Sequence, residues 1–308
     1  MKIKDKVKNT LKYFRHVLFV IERKITKPDY EKIQIMSDEE TIDKILAGYS
    51  ISRYGDGELQ WMLGTNENSF QKGSPKLKKR LLEVFNSNEK NHLVCLTNAF
   101  TEMDNFAYDD KLFWQLLIRK NWSMYKTVIK LDRLYGNANL SRPYMLCNNK
   151  YKKKAGAKFE YIKKIWDNKK ILIVEGEKTR LGVGNDLMDN AKEIKRLICP
   201  SKDAFDVYDN ILEFIKDMDY KADLAILALG PTATILAYDL AKTGIQGIDI
   251  GHIDIEYEWY KRNVKKRIPI DGKYVNECLN EDSINRDIKN KTYEKSIIGV
   301  INNDKKNN

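Results

Sequence analysis

The second half of the sequence alternates short apolar runs with helix-like segments, and this pattern constrains the fold more than any other feature. The runs in "KKILIVEGE" and "ADLAILALG" are apolar at successive positions, as in strands buried on both faces, and "IQGIDIG" is predicted to be the next strand. Between them lie "YDNILEFIKDM" and "PTATILAYDLAKTG", the latter with Pro231 at its start and Gly244 at its end. The alternation predicts an α/β fold: a Rossmann-like, doubly wound, mainly parallel sheet with helices on both faces.

The first half follows the same plan. "SDEETIDKILAG" has Ser37 and Glu40 at the spacing of a capping box, with Gly48 at its end. "YSISRYG" and "HLVCLT" are predicted strands, and "DGELQWML" is predicted to begin a helix. "RLGVGNDLMDNAKEIKRL" is predicted to be a glycine loop that opens a helix, whose free amides would favour phosphate.

Four polar segments follow predicted strands, where ligands bind in sheets of this class. They are "GDGE", "EGEKTRLGVGND", "LGPTAT" and "GHIDIEYEW". Their convergence on one edge of the sheet predicts a binding site there.

Composition is that of a globular protein, with 42% hydrophobic residues in a chain of 308. The four cysteines form no CxxC pair, which argues against a zinc site or a disulfide framework. The apolar run "VLFVI" is too short to span a membrane, and no cleavage site follows it. We therefore expect a cytoplasmic protein.

The net charge of +11 is concentrated at the two ends of the sequence. Residues 1–27 carry +7 and residues 261–308 carry +5, which leaves about −1 for the large middle region. A nucleic-acid enzyme more often carries basic surface on its folded body, so we expect no nucleic-acid partner.

The N-terminal segment has apolar residues at spacings of three and four, as on one face of a helix. They are Ile3, Val7, Leu11, Phe14, Leu18 and Ile21. Such a basic amphipathic helix either contacts an anionic membrane surface or a partner, or packs on its own domain. The predicted organisation is this helix (1–30), a catalytic domain (31–265) and a basic C-terminal extension (266–308).

Two nucleotide-binding motifs are incomplete. Gly182 and Gly184 begin a dinucleotide fingerprint, but Leu187 stands where its third glycine belongs. "GEKT" lacks the glycine that a P-loop requires at its spacing. An oxidoreductase or methyltransferase on a Rossmann-like sheet is thus a weaker alternative. The loop either binds phosphate with help from Arg180 or simply connects two elements.

In "GHIDIEYEW" the apolar residues change from even to odd positions around Gly251, so the strand is predicted to end or bulge there. If the chain then forms a helix, Asp254 and Glu258 remain neighbours and Glu256 leaves them. The segment is either a carboxylate cluster beside His252 or a solvated edge.

"GDGE" also allows two interpretations. Asp56 could cap the following helix in an ordinary Asp-Gly turn. Alternatively, Asp56 and Glu58 could bind Mg²⁺ or Mn²⁺ and leave coordination positions open for diphosphate oxygens.

In combination, "RYGDGE", "SRPY", "VEGEKTRLGVGNDL", "GPTATILAYDL" and "GHIDIEYEW" closely resemble the GT-D type glycosyltransferase family, over about residues 35–262. The resemblance implies a Rossmann-like fold. It also implies transfer of a hexose from a nucleotide sugar, with a UDP-sugar expected, to a glycan or glycoprotein in bacterial surface glycosylation. Its Asp-x-Glu motif implies a divalent metal, Mn²⁺ or Mg²⁺.

Carried over by position, the metal ligands are Asp56 and Glu58. Contacts to the nucleotide sugar are expected from Arg53, Arg142, Arg180, Gly182, Gly184, Asn185, Asp186 and Thr232. The reaction centre is expected at His252, Asp254 and Glu258, one of them a base or second metal contact. Asp203 stands where the family's Asn is expected, which would affect nucleotide or sugar contacts. The alternative outside enzymes is a protein that binds nucleic acid or membrane through its basic ends.

Overall fold

The computed structural model describes residues 10–11, 13–14, 17–22, 25, 28–65, 70–275, 277–278 and 290–303. Its strands are β1 (Gln34–Ile35), β2 (Ser50–Tyr54), β3 (His92–Leu96), β4 (Leu134–Asn137), β5 (Lys170–Gly176), β6 (Glu193–Cys199), β7 (Leu224–Ala228), β8 (Gly247–Asp249) and β9 (Ile297–Val300). Within the described ranges these strands form one sheet in the order β1-β4-β3-β2-β8-β7-β5-β6-β9, and adjacent strands are parallel.

Helices connect the strands. They are α1 (Asp38–Leu46), α2 (Asp56–Leu63), α3 (Pro75–Asn86), α4 (Tyr108–Tyr125), α5 (Asn149–Lys152), α6 (Ala155–Lys163), α7 (Tyr208–Asp217), α8 (Pro231–Lys242), α9 (Ile253–Lys261) and α10 (Lys291–Ser296). Short 3₁₀ turns lie at Asp29–Lys32, Asn98–Phe100, Ala138–Ser141 and Ala204–Val207. The predicted doubly wound, parallel α/β architecture is confirmed.

The sheet separates two apolar layers. Along β5, Ile171 and Ile173 contribute to one layer, while Leu172 and Val174 contribute to the other. Because both faces of the strand are covered, an uninterrupted apolar run is stable there, as the sequence predicts.

The topology changes direction at the centre of the sheet. From β2 the chain continues to β3 on one side, whereas from β8, the other neighbour of β2, it continues to β9 at the far edge. A crevice opens at the carboxyl ends of strands where connections diverge in this way. The ends of β2 and β8 are therefore the natural place for a ligand site.

Local sequence signals at two helices are confirmed. The Ser37 hydroxyl accepts from the Glu40 amide (3.1 Å), and the Ser37 amide donates to the Glu40 carboxylate (2.8 Å), which completes the capping box of α1. Gly48, just beyond α1, has φ +94°. Pro231 occupies the first turn of α8.

The helix predicted after the glycine loop is wrong. Residues 181–190 form turns, and the "EIKRLIC" segment is strand β6, paired with β5 along all seven of its residues. Arg196 of β6 forms a buried ion pair with Glu175 of β5 (2.5 Å), a contact that local propensity cannot foresee. The glycine loop therefore has no helix N-terminus to offer a phosphate.

Beyond residue 265 the chain still contributes to the sheet, because β9 pairs with β6 at the edge. At the other end, Ile3 and Val7 lie outside the described residues. Leu11, Phe14, Leu18 and Ile21 are helical and between 49% and 60% exposed, whereas Phe19 is buried. The buried side chain of this helix is therefore Phe19, which does not belong to the predicted apolar face. Within the described ranges, no helix is long and apolar enough to cross a membrane.

Candidate functional site

An ion pair joins the carboxyl ends of β2 and β8. The Arg53 guanidinium lies 3.0 Å from the Asp249 carboxylate, which is only slightly exposed, and the Arg53 amide also donates to that carboxylate (3.1 Å). Thr234 of α8 donates its hydroxyl to the same group (3.1 Å). Sequence reasoning missed Asp249, although an acidic residue ending an apolar strand was an available signal.

Arg53 also reaches the end of β4. Its Nη1 donates to the Ser141 hydroxyl (2.7 Å) and the Ala138 carbonyl (3.3 Å). The guanidinium passes so close to Gly251 that a Cβ there would lie 1.9 Å from Nη2. Arg53, predicted to contact phosphates, therefore ties three strand ends together in this structure.

We predict that Gly251→Ala destabilises the protein more than Gly244→Ala does. Both glycines have positive φ (+53° and +83°), so both substitutions carry a backbone cost of about 1–2 kcal/mol. Only at Gly251 would the methyl group collide with Arg53, since nothing lies within 4 Å of the Cβ position at Gly244. The collision is expected to add about 1–3 kcal/mol. Equal losses of unfolding free energy in the two variants, measured by urea unfolding, would contradict this prediction.

At the start of α2, Glu58 forms the capping contact. Helix α2 begins at Asp56, and the Glu58 carboxylate accepts from the Gly55 amide (3.1 Å). The interpretation of Asp56 as the cap is therefore wrong. Asp56 is exposed at the first helical position and makes no hydrogen bond or ion pair with a described residue.

Negative charge accumulates around Glu58. Burial, followed by the Asp249 carboxylate, raises the pKa of Glu58 to about 7 although Arg53 opposes the shift. Asp56 contributes in the same direction. Carboxylate oxygens are ligands that a divalent cation such as Mg²⁺ prefers, but burial is the largest cause of the shift, so the role of Asp56 and Glu58 as ligands of such a cation remains a prediction. Within the described ranges no group of three or more His, Cys, Asp or Glu could hold one. Asp56 and Glu58 would thus supply two ligands, and water or substrate oxygens the others, as is usual for Mg²⁺.

A buried network holds the glycine loop against α9. The Asp254 carboxylate accepts from the Gly182 amide (2.9 Å) and from the Asn185 side chain (2.8 Å), which also donates to Glu258 (2.8 Å). Lys273, only 2% exposed, lies 2.7 Å from Asp254 and 3.2 Å from Glu258. The helical alternative for this segment is confirmed.

This network binds the loop rather than leaving carboxylates open to a ligand. Both oxygens of Asp254 accept hydrogen bonds. Burial tends to raise the pKa of Glu258, but Lys273 and Asn185 hold it below its ordinary value. Lys273 had no recognisable sequence signal, since it is one lysine in a polar segment. The predicted roles of Asp254 and Glu258 at the reaction centre, and of Asn185 as a contact to the nucleotide sugar, remain predictions.

Three other residues predicted to bind nucleotide lie in the glycine loop and have different surroundings. Arg180 donates to the Gly272 carbonyl (2.9 Å), Asp186 pairs with Lys261 (3.1 Å), and Gly184 is exposed with φ +82°.

Thr232 lies in the first turn of α8. It is completely buried, and its hydroxyl has no hydrogen-bond partner among the described residues.

A second charged cluster lies beside His252. Arg142 donates to Glu277 (2.6 Å) and lies 4.0 Å from Glu256, whose other oxygen accepts from the backbone amides of Tyr144 and Met145. Burial, and then Arg142, lowers the pKa of His252 to about 4, so the imidazole is neutral at pH 7. His252 is thus able to accept a proton. Sequence reasoning missed Glu277.

Asp203 holds the segment that leads to α3. It adopts a left-handed conformation (φ +54°), which both Asp and Asn tolerate. Its carboxylate accepts from the Lys72 amide (2.7 Å), and its own amide donates to the Phe70 carbonyl (3.1 Å). An asparagine oxygen could accept the same hydrogen bond, so this contact does not explain why Asp203 stands where the family's Asn is expected.

Comparisons with known proteins agree with the geometry. The family profile described as glycosyltransferase GT-D fold matches residues 51–278. A probable glycosyl transferase, Gly, of Streptococcus gordonii is 34% identical over 90% of this chain. Glycosyltransferase GlyD of Streptococcus pneumoniae is 36% identical over 92% of it. The chain aligns with only 40% and 35% of the lengths of these relatives.

Comparison with solved structures shows that the similarity extends to the three-dimensional fold. A domain of unknown function, 1792, described as having a distinct glycosyltransferase fold, is 35% identical with a TM-score of 0.80, and the match covers 88% of this chain and 97% of that one. A glycosyltransferase of the same domain type from Streptococcus sanguinis is 33% identical with a TM-score of 0.80, covering 87% and 99%. The family predicted from sequence motifs is confirmed: the chain belongs to the GT-D glycosyltransferases.

Proposed function

We propose that this chain transfers a hexose from a nucleotide diphosphate sugar, with a UDP-sugar as the expected donor, to a glycan or glycoprotein acceptor. The observation that carries the proposal is the Asp56–Glu58 pair at the central crevice, where burial and the Asp249 carboxylate raise the pKa of Glu58 to about 7 although Arg53 opposes the shift. The proposed setting is bacterial surface glycosylation, as in the family that the motifs resemble.

In this proposal Asp56 and Glu58 hold a divalent cation, Mn²⁺ or Mg²⁺. Such a cation would offset the charge that develops on a departing nucleotide diphosphate. Arg142 and the first turn of α8, with the buried Thr232 hydroxyl, are the proposed contacts to the donor. Asp254 and Glu258 act through the loop that they hold, because Lys273 and Asn185 already occupy their carboxylates.

His252 is the proposed base. It is neutral at pH 7, and it lies at the start of α9 next to the end of β8. Its low pKa makes it a weak base, so its role would be to take up the acceptor's proton late, as the new bond forms.

A screen of donor hydrolysis tests the function. UDP-, GDP- and dTDP-sugars are incubated with the protein, with and without Mn²⁺, and the released nucleotide is measured. We expect metal-dependent hydrolysis of one donor class. Thermal stabilisation by NAD or S-adenosylmethionine without hydrolysis of any nucleotide sugar would instead favour an oxidoreductase or methyltransferase.

For localisation, we propose a cytoplasmic protein whose N-terminal helix contacts the inner face of the membrane. The exposed side chains of Leu11, Phe14, Leu18 and Ile21 lie within a segment of net charge +7, which suits anionic lipid. Co-sedimentation with vesicles of anionic lipid, but not with zwitterionic vesicles, is the expected result. Equal recovery with both would contradict the proposal.

A further inference from the structure

A basic cavity of about 590 Å³ lies at the C-terminal end of α9. Its lining includes four lysines, Lys152, Lys153, Lys261 and Lys265, together with other polar side chains, and no carboxylate among the described residues. None of the functions assigned above uses it. Its volume lies in the range of sites for small molecules.

Two tyrosines form the wall between the lysines. The rings of Tyr144 and Tyr260 meet edge to face at 5.8 Å, and the Tyr144 hydroxyl donates to the Val264 carbonyl (3.0 Å). Gly156 makes room for Tyr260, because a Cβ there would lie 2.6 Å from the tyrosine oxygen. The wall is therefore fixed before any ligand binds.

The positive charge in the cavity is largely uncompensated. Lys261 pairs with Asp186 (3.1 Å), but Lys153 and Lys265 make no ion pair with a described residue. Among the described residues, the ammonium of Lys152 contacts the Tyr144 ring (4.8 Å) and the sulfur of Met145 (3.5 Å), and it forms no ion pair.

The ammonium of Lys152 is partly removed from water, and its pKa reflects this. Burial lowers the pKa of Lys152 below its ordinary value, although the Glu256 carboxylate opposes the shift. A partly desolvated ammonium without a carboxylate partner would gain a strong charge-assisted hydrogen bond from an incoming anion.

We propose that this cavity binds an anionic sugar residue of the acceptor, one that carries a phosphate or carboxylate group. The lysines would hold the anion, and the partly exposed ring of Tyr260, supported by the buried Tyr144, would provide a surface for the sugar. His252 and Tyr260 are eight residues apart on α9, a rise of about 12 Å. The cavity thus lies away from the crevice in which the donor is placed. The assignment to the acceptor rests on the proposed function, whereas anion binding itself does not.

The test compares two triple variants that lose the same charge. One is Lys152→Met, Lys153→Met and Lys265→Met, within the cavity. The control is Lys150→Met, Lys154→Met and Lys266→Met, at neighbouring positions that do not line it. Calorimetry with glucose 6-phosphate, glucuronate, glucose and inorganic phosphate measures binding. We expect the cavity variant to bind both anionic sugars at least about tenfold more weakly, and the control to stay within about twofold of wild type.

Equal weakening in both variants would reduce the effect to general electrostatic attraction and overturn the proposal. Inorganic phosphate binding as tightly as glucose 6-phosphate would overturn the sugar component. Donor hydrolysis without acceptor separates the remaining outcomes. A raised KM for the donor in the cavity variant would overturn the assignment to the acceptor. If wild type hydrolyses no donor but the cavity still binds anionic sugars selectively, the proposed function fails and the anion site stands.

Discussion

Replacing Lys273 with methionine is expected to lower the free energy of unfolding by about 3–5 kcal/mol. Methionine keeps an unbranched side chain of similar length but removes the ammonium group that lies 2.7 Å from Asp254 and 3.2 Å from Glu258. Among the described residues, the two buried carboxylates would then keep the Asn185 amide, the Gly182 amide and the exposed Arg262 as partners. Urea unfolding of the full chain at pH 7 measures the loss.

The loss of unfolding free energy caused by Lys273→Met, here called the deficit, should depend on pH in a defined direction. In the wild type the lowered pKa of Glu258 contributes stability that is present above about pH 4.5 and is lost as the pH falls through the lowered pKa. Without Lys273, burial dominates and the pKa of a carboxylate in the pair rises, so the folded variant takes up a proton more readily. The deficit should therefore shrink between pH 7 and pH 5.

Lys266→Met is the matched control, because Lys266 is an exposed lysine in the same segment. It should change stability by less than about 0.5 kcal/mol. A loss below about 1 kcal/mol for Lys273→Met, or a deficit that is the same at pH 5 and pH 7, would show that the ion pairs do not hold the loop.

Sequence patterns predicted the strands and helices whose own residues indicate which of their faces are buried. The strand of residues 170–176 was recognised because both of its faces are apolar. The change of phase around Gly251 correctly marked the end of β8 and the start of α9. Such signals are local, so one sequence is sufficient to read them.

Contacts between distant segments were not predictable in the same way. Residues 193–197 were predicted to be helical, yet they form most of strand β6 because β5 supplies their hydrogen bonds and Glu175 pairs with Arg196. Asp254 and Glu258 were correctly placed together, but nothing in the sequence indicated that Lys273 would neutralise them. The structure brings Arg53 to Asp249 and the glycine loop to α9, as the convergence of these segments suggested, whereas the roles of their residues in binding and catalysis remain predictions.

These contacts show that the residues at the crevice have different structural roles. Arg53 and Asp249 join strand ends, and Asp254, Glu258 and Lys273 fix the glycine loop. Asp56 differs from all of these residues, since its carboxylate is exposed and makes no hydrogen bond or ion pair with a described residue. A group that contributes little to folding yet lies at a topological switch point is a strong candidate for a role in ligand binding.

Asp56→Ala is expected to reduce metal-dependent sugar transfer by at least about 100-fold, because loss of one of two protein ligands removes several kcal/mol of charge stabilisation. The fold should survive, since Glu58, not Asp56, accepts the capping hydrogen bond from Gly55. Glu58→Gln should also lose transfer while retaining that hydrogen bond through its amide oxygen. Released nucleotide at saturating donor, measured over a range of Mn²⁺ concentrations, gives the activity, and thermal unfolding gives the stability.

Glu213→Ala provides the control, because Glu213 is an exposed acidic residue of α7, a helix to which no role at the crevice is assigned above. It should retain wild-type transfer. If the Asp56 variant recovers activity only at higher Mn²⁺, the carboxylate contributes to metal affinity, as proposed. If it turns over like wild type at every Mn²⁺ concentration, Asp56 is not a metal ligand. Because the variant should remain folded in either case, lost activity could then be attributed to the missing carboxylate rather than to unfolding.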